Sequence, residues 1–183
     1  MKTNKKIVVF AANECVKEKE KYYYSLAYET GKLLAENNFI TVTGGGPGLM
    51  DQAMKGTFEN GGKTIGICLA NPKIMHSVYV TEKLMYKELN KRQEKLLGLA
   101  DGFLVLPGGV GTFYEIFAVL ALKRKGELDK NKPMIFIDGY YNDFEVLMGK
   151  MYKEGFAQRE IKSFYSIVNS SGQGIKLLKY ILK

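Results

Sequence analysis

The feature that most constrains this chain is an alternation of short, largely apolar, β-branched runs with stretches of helical period. KIVVFAA (6–12), FITVTG (39–44), TIGICLA (64–70), GFLVLP (102–107), PMIFID (133–138) and YSIVN (165–169) read as strands. Residues 18–36, 48–60, 82–100, 112–124, 142–154 and 172–182 read as helices. Strands apolar on both faces, separated by helices, need cover on both sides, which is the situation of a parallel sheet between two helical layers. The expected fold is therefore α/β, a Rossmann-like three-layer sandwich with a mostly parallel, doubly wound sheet. No low-complexity segment or Pro/Gly-rich linker divides the 183 residues, so one domain over 1–183 is expected.

Composition excludes several classes. The chain is 46% hydrophobic and 25% charged, ordinary for a water-soluble domain. The apolar run after the N-terminal lysines is too short to cross a membrane and has no signal-type cleavage site, so no membrane association is expected. Cys15 and Cys68 are isolated, with no CxxC pair, and read as reduced cytoplasmic thiols. The net charge of +8 is scattered along the chain, and KEKEK (17–21) alternates in sign as a solvated helix face does. With no interleaved aromatic signature, nucleic acid is not the expected partner. The single histidine, His76, reads as a surface loop residue and cannot build a metal site alone, so no metal is expected.

Two glycine-rich turns follow apolar runs: TGGGPGLM, containing Gly44, Gly45 and Gly46, and LPGGVGTFYE, containing Gly108, Gly109, Gly111 and Thr112. Both fall at the carboxyl ends of strands, where open α/β sheets bind ligands. Glycine lets the backbone approach a ligand, and the following helix start presents N–H groups and positive dipole, which suits a phosphate. Glycine also serves a tight turn with no ligand at all. Two such turns on one sheet edge favour the anionic ligand. GTFENGGKT (56–64) resembles a nucleotide-binding P-loop, but its glycine spacing is six instead of five and it runs from helix to strand, so it reads as a helix stop. Neither turn satisfies GxGxxG, which removes a dinucleotide fingerprint.

Two charged residues stand in apolar surroundings. On a helix over 84–100, Met85, Leu89, Leu96 and Leu99 share a face, and Arg92 falls in its middle. Such an arginine needs either a buried ion-pair partner or a pocket holding an anion or a carboxylate. Glu115 is the only charge in FYEIFAVLAL (113–122), a helix without a wet face that predicts burial against a second subunit. Thr112-x-x-Glu115 also fits a capping box, so Glu115 reads either as a cap or as a group acting on a ligand held by the glycines.

PGGVGTFYE (107–115) matches the PGGxGTxxE signature of the LOG (LONELY GUY) family, and GGGPGLM (44–50) resembles that family's other glycine loop. Arg92, nine residues before Asp101, and DGYY (138–141) also resemble the family's pattern, so the likeness spans nearly the whole chain. The resemblance implies a cytokinin riboside 5′-monophosphate phosphoribohydrolase: a Rossmann-like homodimer or higher homo-oligomer, needing no cofactor. It would hydrolyse the N-glycosidic bond of a purine nucleoside 5′-monophosphate to free base and ribose 5-phosphate. It implies Arg92 and Glu115 as the catalytic pair, with Gly108, Gly109, Gly111 and Thr112 cradling the phosphate. Three departures bear on the base. Ala11-Ala12-Asn13-Glu14 replaces the usual Cys-Gly-Ser-Ser, Arg92-Gln93 replaces Arg-Lys, and Tyr114-Glu115 replaces Glu-Glu. These turn the expectation towards AMP or another purine monophosphate. The alternative is a non-catalytic nucleotide or molybdenum-cofactor carrier on the same fold, which needs the glycine loops but not the Arg92–Glu115 pair. The family's other label, lysine decarboxylase, would need a Schiff-base lysine in a pyridoxal-phosphate site, and no lysine here stands in such a motif.

Overall fold

The computed structural model describes residues 4–73 and 75–183; the first three residues of the N-terminal segment read above lie outside them. The elements run β1 (Lys6–Phe10), α1 (Lys17–Glu36), β2 (Ile40–Thr43), α2 (Leu49–Glu59), β3 (Thr64–Leu69), β4 (Glu82–Tyr86), α3 (Leu89–Leu99), β5 (Gly102–Val105), α4 (Val110–Lys125), β6 (Met134–Ile137), α5 (Asn142–Lys153), β7 (Ser166–Val168) and α6 (Ser171–Ile181). All strands pair parallel, in the order β4-β3-β2-β1-β5-β6-β7. From β1 the chain winds outward one way to β4, then restarts at β5 and winds the other way. The reversal leaves a crevice between the carboxyl ends of β1 and β5, where Phe10 stands beside Val105.

The expected apolar runs supply both cores because successive strand residues point to opposite faces. Val8, Phe10, Phe103, Val105 and Phe136 pack beneath α3, α4 and α5 with Leu96, Val119 and Phe144. Ile7, Val9, Leu104 and Ile137 face the other way, against Leu34 of α1, Ala53 of α2 and Leu178 of α6. Helices α1 and α2 cross so closely that a Cβ on Gly31 would stand 1.9 Å from the Ala53 carbonyl oxygen, and one on Gly56 would stand 2.0 Å from that of Tyr28. GTFENGGKT is the end of α2 and the start of β3, so the P-loop likeness is only a likeness.

One element departs from expectation. The helix expected over 82–100 is two elements, with β4 over its first five residues and α3 beginning at Leu89. Leu84 and Tyr86 alternate with exposed Lys83 and Met85, a period of two. Charged Glu82 and Lys83 suit an edge strand. Met85 therefore shares no helix face with Arg92. The buried residues of α3 are Gln93, Leu96 and Leu97, and Arg92 lies on their flank, half-buried.

Helix α4 is less enclosed than its sequence suggested. Thr112, Ile116, Val119, Leu120 and Lys123 form its buried face. Val110, Tyr114 and Ala121 are exposed, with Ala118 half-buried between them on the opposite side. Lys123 is fully buried, donating to the carbonyls of Lys132 and Phe164, and burial pushes its ammonium down to about 8. His76 is half-buried, with Nε2 3.1 Å from the Leu69 carbonyl oxygen. No helix among the described residues is long and apolar enough to cross a membrane.

Candidate active site

Three loops meet at the crevice. Ala12, just past β1, donates its N–H to the Pro107 carbonyl at 3.2 Å and accepts from the Leu49 N–H at 3.1 Å. The loop after β1 is thereby stitched to both glycine-rich turns. Between them lies a cavity of about 480 Å³ lined by Ala12, Asn13, Glu14, Met50, Arg92 and Glu115, and by the start of α4 from Gly109 to Thr112. This volume is in the range of small-molecule sites.

The turn after β5 delivers the α4 start. Gly109 is the N-cap, and no side chain caps the helix. The first N–H groups of a helix have no carbonyl within it to bond, and the helix dipole adds positive potential there. Val110, Gly111 and Thr112 carry those groups at the cavity wall. Gly108 stands behind them, where a Cβ would lie 2.1 Å from the Thr112 Oγ1. Glycine is required at 108 because the threonine occupies that space.

The capping-box reading of Glu115 is corrected by this start. The box needs Thr112 at the N-cap, yet α4 begins two residues earlier at Val110, so Thr112 is already inside the helix and Glu115 lies beyond its first turn. Glu115 instead faces the cavity. Burial pushes its carboxyl up from the usual 4.5 to about 8, and the positive charge of Arg92 works against that rise. In the free protein at neutral pH the carboxyl mostly holds its proton.

Arg92 reaches the cavity from the first turn of α3. Its Nε donates to the Ile67 carbonyl within β3, 2.7 Å away. The terminal guanidinium lies against Gly44, where a Cβ would stand 1.9 Å from Nη2 and 3.1 Å from the Met50 sulfur. The first glycine turn thus makes room for the arginine. Gly45 takes φ 69° and packs on Cys68, while Gly46 packs on Met50 and Asn13.

Of the residues expected at the site, Arg92, Gly109, Gly111, Thr112 and Glu115 line one cavity. Gly44, Gly45, Gly46 and Gly108 are buried behind it and shape it from outside. Sequence reasoning did not assign Asn13, Glu14 or Met50 to the wall. The signal was present for two of them, since Asn13 and Glu14 occupy the first-strand loop that departs from the familiar pattern. Among the described residues, no three His, Cys, Asp or Glu side chains gather in a way that could hold a metal ion.

A parallel sheet with a topological switch, and a cavity at that switch lined by a bare helix start, Arg92 and Glu115, define a doubly wound α/β protein with a candidate ligand site where such folds bind ligands. Comparison with known proteins narrows the class. Residues 50–178 match the family described as "Possible lysine decarboxylase", and the chain belongs to this family, the LOG family. The chain is 33% identical over 141 residues to the Oryza sativa subsp. japonica protein named "Probable cytokinin riboside 5'-monophosphate phosphoribohydrolase LOGL2", covering 75% of this chain and 58% of that one. It is 30% identical over 155 residues to the Arabidopsis thaliana cytokinin riboside 5'-monophosphate phosphoribohydrolase LOG3, covering 83% of this chain and 71% of that one. The matches span 67%, 58% and 61% of the lengths of three rice relatives, so 33%, 42% and 39% of them lie outside. Among solved structures, the molybdenum cofactor binding protein from Rippkaea orientalis superposes with a TM-score of 0.74 at 23% identity, covering 100% of both chains. The molybdenum cofactor carrier protein of Chlamydomonas reinhardtii superposes with a TM-score of 0.71 at 22% identity, covering 98% of this chain and 99% of that one. These two likenesses establish the shared fold.

Proposed function

We propose that this chain hydrolyses the N-glycosidic bond of a purine nucleoside 5′-monophosphate, AMP foremost, to free base and ribose 5-phosphate. The observation that carries the reading is the single cavity in which a bare helix start, Arg92 and the carboxyl of Glu115 converge. The names of the plant relatives support the reaction type.

The chemistry follows from the placement. The 5′-phosphate docks on the N–H groups at the α4 start, held by hydrogen bonds and by the dipole. As the bond from C1′ to the base nitrogen breaks, its electron pair leaves with the base and positive charge grows on the ribose, as in other glycosidic cleavages. The Glu115 carboxylate stabilises that charge and orients the water whose oxygen bonds to C1′; one water proton ends on the departing base. Arg92 lowers the proton affinity of Glu115 and so enlarges the ionised fraction that can do this. Phosphate binding far from the reacting bond fixes the sugar in place.

The working unit in this reading is a homodimer or a larger homo-oligomer. The exposed Val110, Tyr114 and Ala121, with Ala118 between them, make an apolar stripe along α4 that a second copy would cover.

The reaction is tested by incubating the protein with a panel of nucleoside 5′-monophosphates and their nucleosides and assaying free base. The reading expects release from a purine monophosphate and far slower release from the nucleoside, which lacks the anchor. Equal turnover of AMP and adenosine contradicts phosphate anchoring. Tight binding of a monophosphate without any release supports a carrier.

A further inference from the structure

On the other side of the β5–α4 turn, the chain leaves β6 through Asp138, whose backbone stands at φ 90° and ψ 148°. Residues with a side chain rarely adopt this region, and they persist there only when their surroundings hold them. The carboxylate shows what holds this one. Its Oδ1 accepts the Tyr140 N–H at 2.8 Å, and its Oδ2 accepts the hydroxyl of Tyr22 from α1. The Tyr22 phenol remains a donor, because the Asp138 hydrogen bond and then burial push it up to about 12. Two adjacent tyrosines then tie this turn to the glycine turn. The Tyr140 hydroxyl donates to the Gly108 carbonyl at 3.0 Å, and the Tyr141 hydroxyl donates to the Leu106 carbonyl at 2.7 Å.

Peptide geometry connects this network to the cavity. In a trans peptide, the C=O of one residue and the N–H of the next lie in one rigid plane and point in opposite directions. The plane between Gly108 and Gly109 is flanked by two glycines, so neither flanking residue has a Cβ to restrict its rotation. Holding the Gly108 oxygen on Tyr140 therefore sets the direction of the Gly109 N–H, and Gly109 lines the cavity.

We propose that Tyr140 is a positioning residue of the anion site. Its hydroxyl, braced through Asp138 and Tyr22, orients the Gly108–Gly109 peptide so that the Gly109 N–H joins those of the α4 start on the nucleotide phosphate. The proposal rests on reading this cavity as a phosphate site. Nothing in it requires Tyr140 to touch the substrate.

The test is calorimetric binding of AMP, adenosine and inorganic phosphate to the wild type, Tyr140→Phe, Tyr22→Phe and the double variant, with a melting curve for each. Tyr140→Phe keeps the ring, which stands edge-on to Tyr141 at 5.1 Å, and removes only the hydroxyl. Expected is an approximately five- to tenfold loss of AMP and phosphate affinity, the size of one hydrogen bond, with adenosine affinity unchanged and a melting temperature lowered by no more than about a few degrees. Tyr22→Phe should act in the same direction and more weakly. The double variant should be no weaker than Tyr140→Phe alone, because the two hydroxyls act in series. In turnover, KM for AMP should rise while kcat holds. Unchanged AMP and phosphate affinity in Tyr140→Phe overturns the proposal, as does an equal loss for adenosine, which marks a merely structural role. A wild type that binds AMP but releases no base defeats the hydrolase reading, and the positioning role is still decided by the same affinity ratio. A wild type that binds neither anion overturns both.

Discussion

Arg92 and Glu115 enter one cavity from α3 and α4 without closing an ion pair. Arg92 donates its Nε to the Ile67 carbonyl at 2.7 Å and acts on the Glu115 carboxyl through its charge. The pair is thus tuned and not locked. Burial holds a proton on Glu115, and Arg92 partly offsets that hold.

The first prediction concerns the pH dependence of rate. If the ionised carboxylate is the working form, kcat/KM for AMP should climb towards an inflection near pH 8, about tenfold per unit well below it, and then level off. Arg92→Gln removes the charge that favours ionisation, so its inflection should lie at higher pH. A rate that falls through this range would instead make Glu115 a proton donor.

Stability should carry the same signature with the opposite slope. The folded state holds the Glu115 proton up to about pH 8, whereas an ordinary carboxyl loses it near 4.5. The stability this contributes is complete below about 4.5 and is lost as pH rises through 8. Glu115→Gln does not titrate, so its melting temperature relative to wild type should rise from pH 5 to pH 8 and stay level above. Scanning fluorimetry at pH 5, 7 and 9 reads this, and a constant difference contradicts it.

Gly44→Ala tests the seat of Arg92. The new Cβ would stand 1.9 Å from the Arg92 Nη2, so the guanidinium must move. A displacement of this order should lower turnover about 10²-fold while circular dichroism and the melting curve show a folded protein. Wild-type turnover would mean that Arg92 need not sit where it does.

Assembly is tested on the exposed stripe of α4. Sedimentation at micromolar concentration should show a dimer or larger species, and Tyr114→Lys or Ala121→Glu should dissociate it. Both side chains are exposed, so a folded monomer is the expected product. Leu120 would be the wrong probe, because it lies 4% exposed in the core of the protomer. A wild-type monomer contradicts the assembly.

The sequence made much of the sheet legible, because short β-branched runs between helical stretches suit a parallel sheet covered on both faces. It hid β4, whose two charges and short length merge with the helical pattern of α3. That merger placed Met85 on a face with Arg92, whereas the residue reaches the cavity from the flank of α3. Glu115 was legible as a lone charge in an apolar helix. Its capping pattern misled because a glycine N-cap can start α4 without any side chain. The seat that Gly44 makes for Arg92 was not legible, since it depends on a contact between residues 44 and 92 that no local pattern encodes. The same holds for Tyr140 and Gly108, joined across 32 positions by one hydrogen bond.

The most direct test of the central claim compares adenine release from AMP by wild type and by Glu115→Gln, with AMP affinity measured on both. The substitution keeps the shape of the side chain and removes its ability to ionise, and α4 does not use that side chain as a cap. The account predicts adenine and ribose 5-phosphate from the wild type, and a folded variant that still binds AMP but turns it over roughly 10²–10³-fold more slowly, the size of one lost electrostatic stabiliser. A folded Glu115→Gln protein that releases adenine at the wild-type rate would contradict it.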